Sequence, residues 1–148
     1  MLIGCVKVKR LGRHRAKDLY TSPLFKGRRA WAEQSDALWF ILSAKYGLLS
    51  PDEEIESYDQ EMKQLSPRER QDWSGRVLSQ LVGQYGSLSG KTVEIHAGVE
   101  YRNHGLVGGL NAQGAKVVVP LEHLGMGEQI AWYRGSPGSD SSNMSVVT

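Results

Sequence analysis

The 148-residue chain has few cysteines and histidines, and these shortages exclude several kinds of site. A single cysteine, Cys5, rules out an intramolecular disulfide and is typical of a chain that folds in a reducing compartment such as the cytoplasm. The four histidines show no His-x-x-x-His spacing. Zinc sites need several Cys or His ligands at short spacing, so the sequence predicts no metal site, and nothing in it indicates a bound cofactor.

Long hydrophobic runs are also missing. No apolar run approaches the roughly 20 residues that a membrane-spanning helix needs. The apolar start, Met1 to Gly4, has no basic residue before it and predicts a first strand rather than a signal peptide. We therefore expect a soluble, cytoplasmic protein with no membrane partner.

Acidic residues are scarce in residues 1–30, where nine Lys or Arg accompany one acid, Asp18. The remainder holds nine bases and fifteen acids, so the overall net charge of +2 conceals a strong asymmetry. A basic segment this dense indicates a polyanion partner, such as nucleic acid or a phosphate-bearing substrate. The alternative is a solvated basic loop, because charge patterning discriminates weakly.

Apolar patterning predicts four strands that alternate with four helices. The predicted strands are Leu2–Val8, Leu38–Ala44, Thr92–His96 and Val117–Val119. The predicted helices are Pro23–Ser35, Pro67–Tyr85, Glu100–Gln113 and Gly127–Tyr133. Ser22-Pro23 and Ser66-Pro67-Arg68-Glu69 are good helix starts, the second a capping box. Residues 9–20 and 48–65 are predicted to be loops.

The alternation predicts a single three-layer α/β domain over residues 1–134, with a mostly parallel four-stranded sheet and right-handed crossovers. Residues 135–148, rich in Ser and Gly, predict a disordered tail.

Ligands of open parallel sheets bind beyond the carboxyl ends of the strands. Two candidates follow directly from the strand ends. Cys5 is either a nucleophile activated by a nearby cation or a small buried hydrophobic side chain. His96 either transfers protons or is a hydrogen-bonded core histidine.

The second strand predicts a further pair. Ser43 and Lys45 occupy alternate positions and so share a face, and Gly47 closes the strand. Lys45 either binds a phosphate or carboxylate in the cleft or is a surface lysine. In the acidic connection that follows, Tyr58-Asp59 supplies a general base if it reaches back over the sheet.

The last strand end leads to Gly125-Met126-Gly127 before a short helix. This turn either presents backbone N–H groups to an anion or simply enters the helix.

Three stretches resemble a small bacterial and phage domain family of unknown function, over about residues 3–133. They are Ala16 to Phe25 with Arg28-Arg29-Ala30; Leu42 to Leu49 with Tyr58-Asp59 and Met62; and Pro120-Leu121 with Gly125 to Gln129.

Two more distant resemblances accompany it. Leu42-Ser43-Ala44-Lys45-Tyr46-Gly47-Leu48-Leu49 is similar to a segment of the YaaA peroxide-stress proteins, which bind DNA. Cys5, Lys9, Tyr20 and Ser22 resemble the Cys, Lys, Tyr and Ser of the lysine-transferring domain of archaeosine synthases. Both imply nucleic acid or modified bases as the partner.

These observations predict a nucleic-acid-directed enzyme that modifies a base or cleaves an N-glycosidic bond, with DNA preferred over RNA as partner. The alternatives are a non-catalytic DNA- or RNA-binding module and an enzyme acting on a small nucleotide or nucleoside. The candidate catalytic residues are Cys5, Ser43, Lys45, Tyr58 and Asp59. The candidate binding residues are Lys9, Lys17, Tyr20, Ser22, Arg28, Arg29, Gly47, His96, Tyr101, Gly125, Gly127 and Gln129.

Overall fold

A mostly parallel sheet organises the chain in the computed structural model, which describes residues 1–5 and 7–135. Its five strands run in the order β4-β3-β1-β6-β7. They are β1 (Leu2–Gly4), β3 (Phe40–Ser43), β4 (Gly47–Leu49), β6 (Thr92–His96) and β7 (Lys116–Val118). The four predicted strands pair in parallel, with Ile3 of β1 beside Ile41 of β3 and His96 of β6.

The main sheet has one strand more than the predicted four, because β4 pairs antiparallel with β3 and forms an additional edge strand. Ser43 pairs with Gly47 across a turn of three residues, and Gly47 has a φ of +75°. In hairpins with short loops of this kind, the residue that follows the turn adopts the left-handed backbone conformation, which favours glycine. Gly47 therefore begins a strand as well as ending a turn.

A second, two-stranded sheet lies in segments that were predicted to be loops. β2 (Arg13–Arg15) pairs antiparallel with β5 (Glu54–Glu56), and the short helix α1 (Ala16–Leu19) follows β2. This sheet joins the basic segment to the acidic one.

The remaining helices are α2 (Pro23–Gln34), α3 (Pro67–Tyr85), α4 (Val99–Arg102), α5 (Leu106–Ala112) and α6 (Met126–Arg134), with a 3-10 helix at Met62–Gln64. Both predicted helix starts are confirmed: Ser22 Oγ accepts from the Phe25 N–H, and Ser66 and Glu69 form a reciprocal capping box. The predicted helix Glu100–Gln113 is two helices, because Gly105, with a φ of +113°, separates α4 from α5.

The core centres on the sheet. Successive residues of β1 and β3 are buried, including Leu2, Ile3, Ile41 and Leu42. Successive strand residues point to opposite faces, so both faces of these strands are covered. The full three-layer arrangement stays a prediction.

None of the helices among the described residues has the length and apolar character needed to cross a membrane. Residues 136–148, which include most of the predicted tail, lie outside the described residues.

Candidate functional site

The carboxyl ends of β1, β6 and β7 open into a cleft of two adjoining chambers, of about 330 and 350 Å³. The chain leaves β1 towards β3 on one side and later returns to place β6 on the other. In open α/β sheets, such a switch in strand order creates a crevice where ligands bind. Six residues line both chambers: Cys5, Leu24, Lys63, Glu100, Tyr101 and Met126.

The first chamber has a basic mouth. Lys7, Lys9 and Lys63 line it, together with the first residues of α2, including Ser22. The positive end of a helix dipole attracts anions, and α2 is long enough at 12 residues for this to contribute. Lys9 Nζ lies 4.6 Å from the centre of the Tyr58 ring.

The first chamber also has an apolar surface. Val8 and Met126 line it and remain 57% and 64% exposed, although both are large hydrophobic residues. An apolar surface beside basic groups suits a ligand that has both an apolar and an anionic part.

Cys5 lies at the centre of the cleft among tyrosine hydroxyls. Its Sγ is 3.3 Å from Tyr101 Oη and 3.7 Å from Tyr58 Oη. Tyr58 Oη also receives a hydrogen bond from Ser43 Oγ at 2.7 Å and lies 2.5 Å from Tyr20 Oη. Because Ser43 donates to Tyr58, the Tyr58 proton is free to point towards Tyr20 or Cys5.

Burial keeps these tyrosines neutral. It raises the pKa of Tyr20, Tyr58 and Tyr101 far above the ordinary value of 10, and the neighbouring Cys5 sulfur adds to the rise. Neutral hydroxyls donate hydrogen bonds, so Tyr58 is suited to stabilising negative charge on the sulfur or on a ligand atom beside it. The Tyr101 hydroxyl donates to the Cys5 carbonyl at 3.4 Å.

Arg28 and Gln129 lie in the second chamber, beneath its mouth. Arg28 is 3% exposed and donates from Nη1 to the Gly4 carbonyl at 3.0 Å and from Nη2 to Gln129 Oε1 at 3.3 Å. Gln129 in turn donates to the Leu124 carbonyl. Arg28 was predicted as a binding residue, and because it is buried it is accessible only from within the chamber.

His96 lines the same chamber, but both of its ring nitrogens have partners. Nε2 is 2.5 Å from Glu94 Oε2, and Nδ1 is 2.6 Å from Tyr133 Oη. Trp31 Nε1 also donates to Glu94 Oε2. These contacts are those of a hydrogen-bonded core histidine, the second of the two interpretations of His96.

Much of the basic segment is paired internally. Lys17 Nζ lies 2.9 Å from Asp52, Arg29 Nη1 lies 2.8 Å from Asp18, and Arg13 contacts Glu54 at 3.3 Å. The acids of residues 52–56 therefore face the basic segment across the β2-β5 sheet. This pairing reduces the positive surface that the sequence alone indicated.

Two of the predicted catalytic residues lie away from the cleft. Lys45 is exposed in the β3-β4 turn and lines a separate shallow pocket with Asp72 and Arg76. Asp59 is exposed and lines neither chamber. The expectation that Ser43 and Lys45 share a face is wrong, because the strand ends at Ser43 and the chain turns there.

The other predicted residues divide between the cleft and the core. Lys9, Ser22, Tyr101, Arg28, His96 and Gln129 line the cleft with Cys5, whereas Ser43, Tyr58 and Tyr20 are buried around it. Tyr20, a predicted binding residue, is a core residue at 2% exposure.

The Gly125 turn supports the simpler interpretation. Gly125 caps α6, and its N–H bonds to Glu128 Oε1 at 2.9 Å. That N–H is therefore already occupied. Gly47, the other predicted glycine contact, serves the hairpin turn instead.

Several cleft residues were not predicted from the sequence: Lys7, Gln60, Glu61, Lys63 and Glu100. No local pattern marks Lys63, because its place in the cleft depends on the packing of the 3-10 helix. Glu94 was also missed, although its position two residues before His96 places it on the same face of the strand.

No group of three or more His, Cys, Asp or Glu residues within the described part of the chain could hold a metal ion. The cleft contains five basic and three acidic side chains, so its electrostatics favour an anionic ligand over a cation.

The chain is an α/β protein with a cleft at the carboxyl ends of its parallel strands. The chain belongs to DUF6884, a family of unknown function whose model matches residues 1–135. No curated protein and no solved structure matched it. The more distant resemblances to YaaA proteins and archaeosine synthases stay predictions.

Proposed function

We propose that this protein is an enzyme that acts on a nucleotide, or on a nucleobase of a nucleic acid, bound in the cleft around Cys5. The observation that carries the proposal is the position of Cys5, which lines both chambers at the switch in strand order and has two tyrosine hydroxyls on its sulfur. A cysteine that only fills space in the core needs neither a position at both chambers nor contacts with tyrosine hydroxyls.

The cleft surface favours this class of ligand. Lys7, Lys9 and Lys63 provide positive charge at the mouth of the first chamber, and Val8 and Met126 provide an apolar surface beside it. Lysine ammonium groups bind phosphates, and apolar side chains cover the face of a base.

Cys5 is the reacting side chain in this proposal. In N-glycosidic cleavage, the Cys5 sulfur bonds to the anomeric carbon of the sugar as the bond to the base breaks, and the thiol proton leaves on the base nitrogen. Water then hydrolyses the sulfur–carbon bond, which releases the sugar and restores the thiol. In base modification, the sulfur adds to a ring carbon of the base while the thiol proton goes to the neighbouring ring atom, and elimination later reverses both.

Tyr58 is placed to donate a hydrogen bond to negative charge on the sulfur or on a ligand atom beside it, and Ser43 orients Tyr58. Tyr101 donates to the Cys5 carbonyl and so helps to hold Cys5 in position. Lys45 and Asp59 have no reacting role here.

Cys5→Ala tests this assignment. Wild-type protein is incubated with DNA and RNA oligonucleotides and with free nucleotides, and the products are identified by mass spectrometry. We expect wild-type product formation to fall by about two orders of magnitude or more in Cys5→Ala, with ligand affinity within about threefold, because a nucleophile acts on the reaction more than on binding.

Two outcomes contradict the proposal. Turnover retained in Cys5→Ala would remove Cys5 from the reaction. No wild-type product from any nucleotide or oligonucleotide, together with no binding of them, would reject the substrate class.

The salt dependence of oligonucleotide affinity tests the non-catalytic module. The logarithm of affinity falls with the logarithm of salt by about 0.9 for each duplex phosphate contacted. Because Lys17 and Arg29 are already paired with acidic residues, we expect affinity to depend only weakly on salt. The slope should correspond to about three phosphate contacts, made by the lysines at the first chamber. A steep dependence equivalent to six or more contacts, without product, would support the module instead.

A further inference from the structure

Arg28 is a buried cation that no carboxylate neutralises among the described residues. Its guanidinium donates to the Gly4 backbone carbonyl and the Gln129 amide oxygen and also interacts with the Tyr133 hydroxyl, and all three partners are neutral. Its Nε is buried and has no hydrogen-bond partner. One donor of the guanidinium is therefore unused, at a residue that lines the second chamber.

Such a site is costly for the protein alone. Removing a guanidinium from water without an opposite charge is strongly unfavourable, and burial accordingly lowers the pKa of Arg28. The nearby Tyr133 does not supply the missing charge, because burial raises its pKa to about 12 and leaves it neutral at neutral pH. A bound anion would compensate both the buried charge and the unused donor.

We propose that Arg28 anchors an oxyanion of the ligand, the phosphate group of a nucleotide, in the second chamber. A guanidinium binds such a group through two parallel hydrogen bonds, which a lysine cannot reproduce. The inference rests on the proposed function in placing a ligand in this cleft, and it adds which residue holds the anionic group.

Because Gly4 has no side chain, the Arg28 guanidinium can lie close to the end of β1. A Cβ at this position would lie 3.4 Å from Arg28 Nη1 and 2.7 Å from the Ala97 Cβ. Gln129 holds the other side of the guanidinium, so the orientation of Arg28 is set before a ligand arrives. Preorganisation of this kind increases affinity because less freedom is lost on binding.

The test compares Arg28→Met with the matched control Arg68→Met, which makes the same change on the exposed start of α3. Binding of inorganic phosphate, acetate and a nucleoside monophosphate is measured by calorimetry at constant ionic strength in chloride. We expect Arg28→Met to weaken phosphate and nucleotide binding by about tenfold to a hundredfold, the usual effect of losing a charged hydrogen-bond pair, and Arg68→Met to leave both unchanged.

Equal phosphate affinity in wild type and Arg28→Met would overturn the inference, as would tighter binding of acetate than of phosphate. A crystal structure of the wild type soaked in phosphate gives a second measurement that does not depend on the variant folding. The inference requires a phosphate oxygen within about 3 Å of Arg28 Nε or of its Nη groups. A chamber without phosphate in saturated crystals would contradict it.

The failures of the two proposals are distinguishable. Nucleotide turnover that survives in Arg28→Met would reject the Arg28 anchor and leave the proposed function standing. Arg28-dependent phosphate binding without nucleotide binding or turnover would support the anchor and reject the proposed substrate class.

Discussion

Ser43 shows how one buried hydroxyl connects the sheet to the cleft. It is 0% exposed, accepts from the Tyr46 N–H at 3.1 Å and donates to Tyr58 Oη at 2.7 Å. Removing the hydroxyl leaves the Tyr46 N–H without this acceptor and Tyr58 without this donor. A buried polar group that loses its partner costs about 1–3 kcal/mol.

Ser43→Ala is therefore expected to lower the free energy of unfolding by about 1–3 kcal/mol, measured by urea denaturation. The control is Ser50→Ala, at an exposed position, where surface substitutions change stability by about 0.5 kcal/mol or less. If the two variants lose the same small amount, the hydrogen bonds of Ser43 do not hold this part of the structure.

The ionisation of Glu94 is expected to make the stability of the fold depend on pH. The hydrogen bond from His96 is the main cause that lowers the pKa of the Glu94 carboxyl below its ordinary value of 4.5. A carboxyl with a lowered folded-state pKa contributes stability that is present above pH 4.5 and is lost as the pH falls through the folded-state value.

We expect wild type to lose more unfolding free energy than Glu94→Gln between pH 7 and pH 3, because the amide does not titrate. The measurement is urea denaturation of both proteins at intervals across that range. Parallel curves for the two proteins would show that the Glu94 carboxylate contributes nothing specific.

At the scale of elements, β1 and β6 approach closely where β1 ends. A Cβ added to Gly4 would lie 2.7 Å from the Ala97 Cβ and 3.0 Å from the Ala97 Cα. Neither neighbour is a flexible side-chain end, so the strand has to shift. Overpacking of this kind costs about 1–3 kcal/mol.

Gly4→Ala is thus expected to destabilise the fold by about 1–3 kcal/mol in thermal or urea unfolding. Gly75→Ala is the matched control, because Gly75 lies within α3 and nothing lies within 4 Å of its added Cβ. That change should stabilise the protein by about 0.5–1 kcal/mol through helix propensity. If both substitutions lowered the free energy of unfolding, or both raised it, the result would contradict the close packing of β1 against β6.

Elements with local signals were predictable from the sequence. Ser22-Pro23 and Ser66 with Glu69 satisfy backbone N–H groups within three residues, so the information for these helix starts is local. The strand β4 was missed because Gly47 ends a turn and starts a strand at once. Its pairing depends on contact with β3, which a linear pattern does not contain.

At the scale of the whole molecule, the edge of the sheet at which the cleft opens was predictable from the sequence, and the contacts inside the cleft were not. The rule for parallel strands places Cys5 and His96 at one edge, and both line the cleft. The contact of Cys5 with Tyr58 joins residues 53 positions apart, and its contact with Tyr101 spans 96 positions. Such contacts are set by packing and leave no periodic signal.

The charge on the surface of the basic segment was also not predictable from the sequence. The sequence shows nine bases before residue 30, but it does not show that Asp52 and Glu54 fold back onto Lys17 and Arg13. The bases that line the cleft are a smaller group of five, and two of them, Lys63 and Arg102, come from outside the segment. The central claim is therefore that an anionic ligand binds in the cleft at the carboxyl ends of the strands.

The most direct test of this claim is the dissociation constant of a nucleoside monophosphate for wild type, Lys9→Gln and Lys116→Gln. Lys9 lines the first chamber, whereas Lys116 lies at the start of β7, at the opposite end of the strand from the cleft. The account predicts that Lys9→Gln weakens binding by about fivefold or more, as expected for a phosphate-binding cation, and that Lys116→Gln has no effect. Equal affinities in all three proteins, or a loss only in Lys116→Gln, would contradict it.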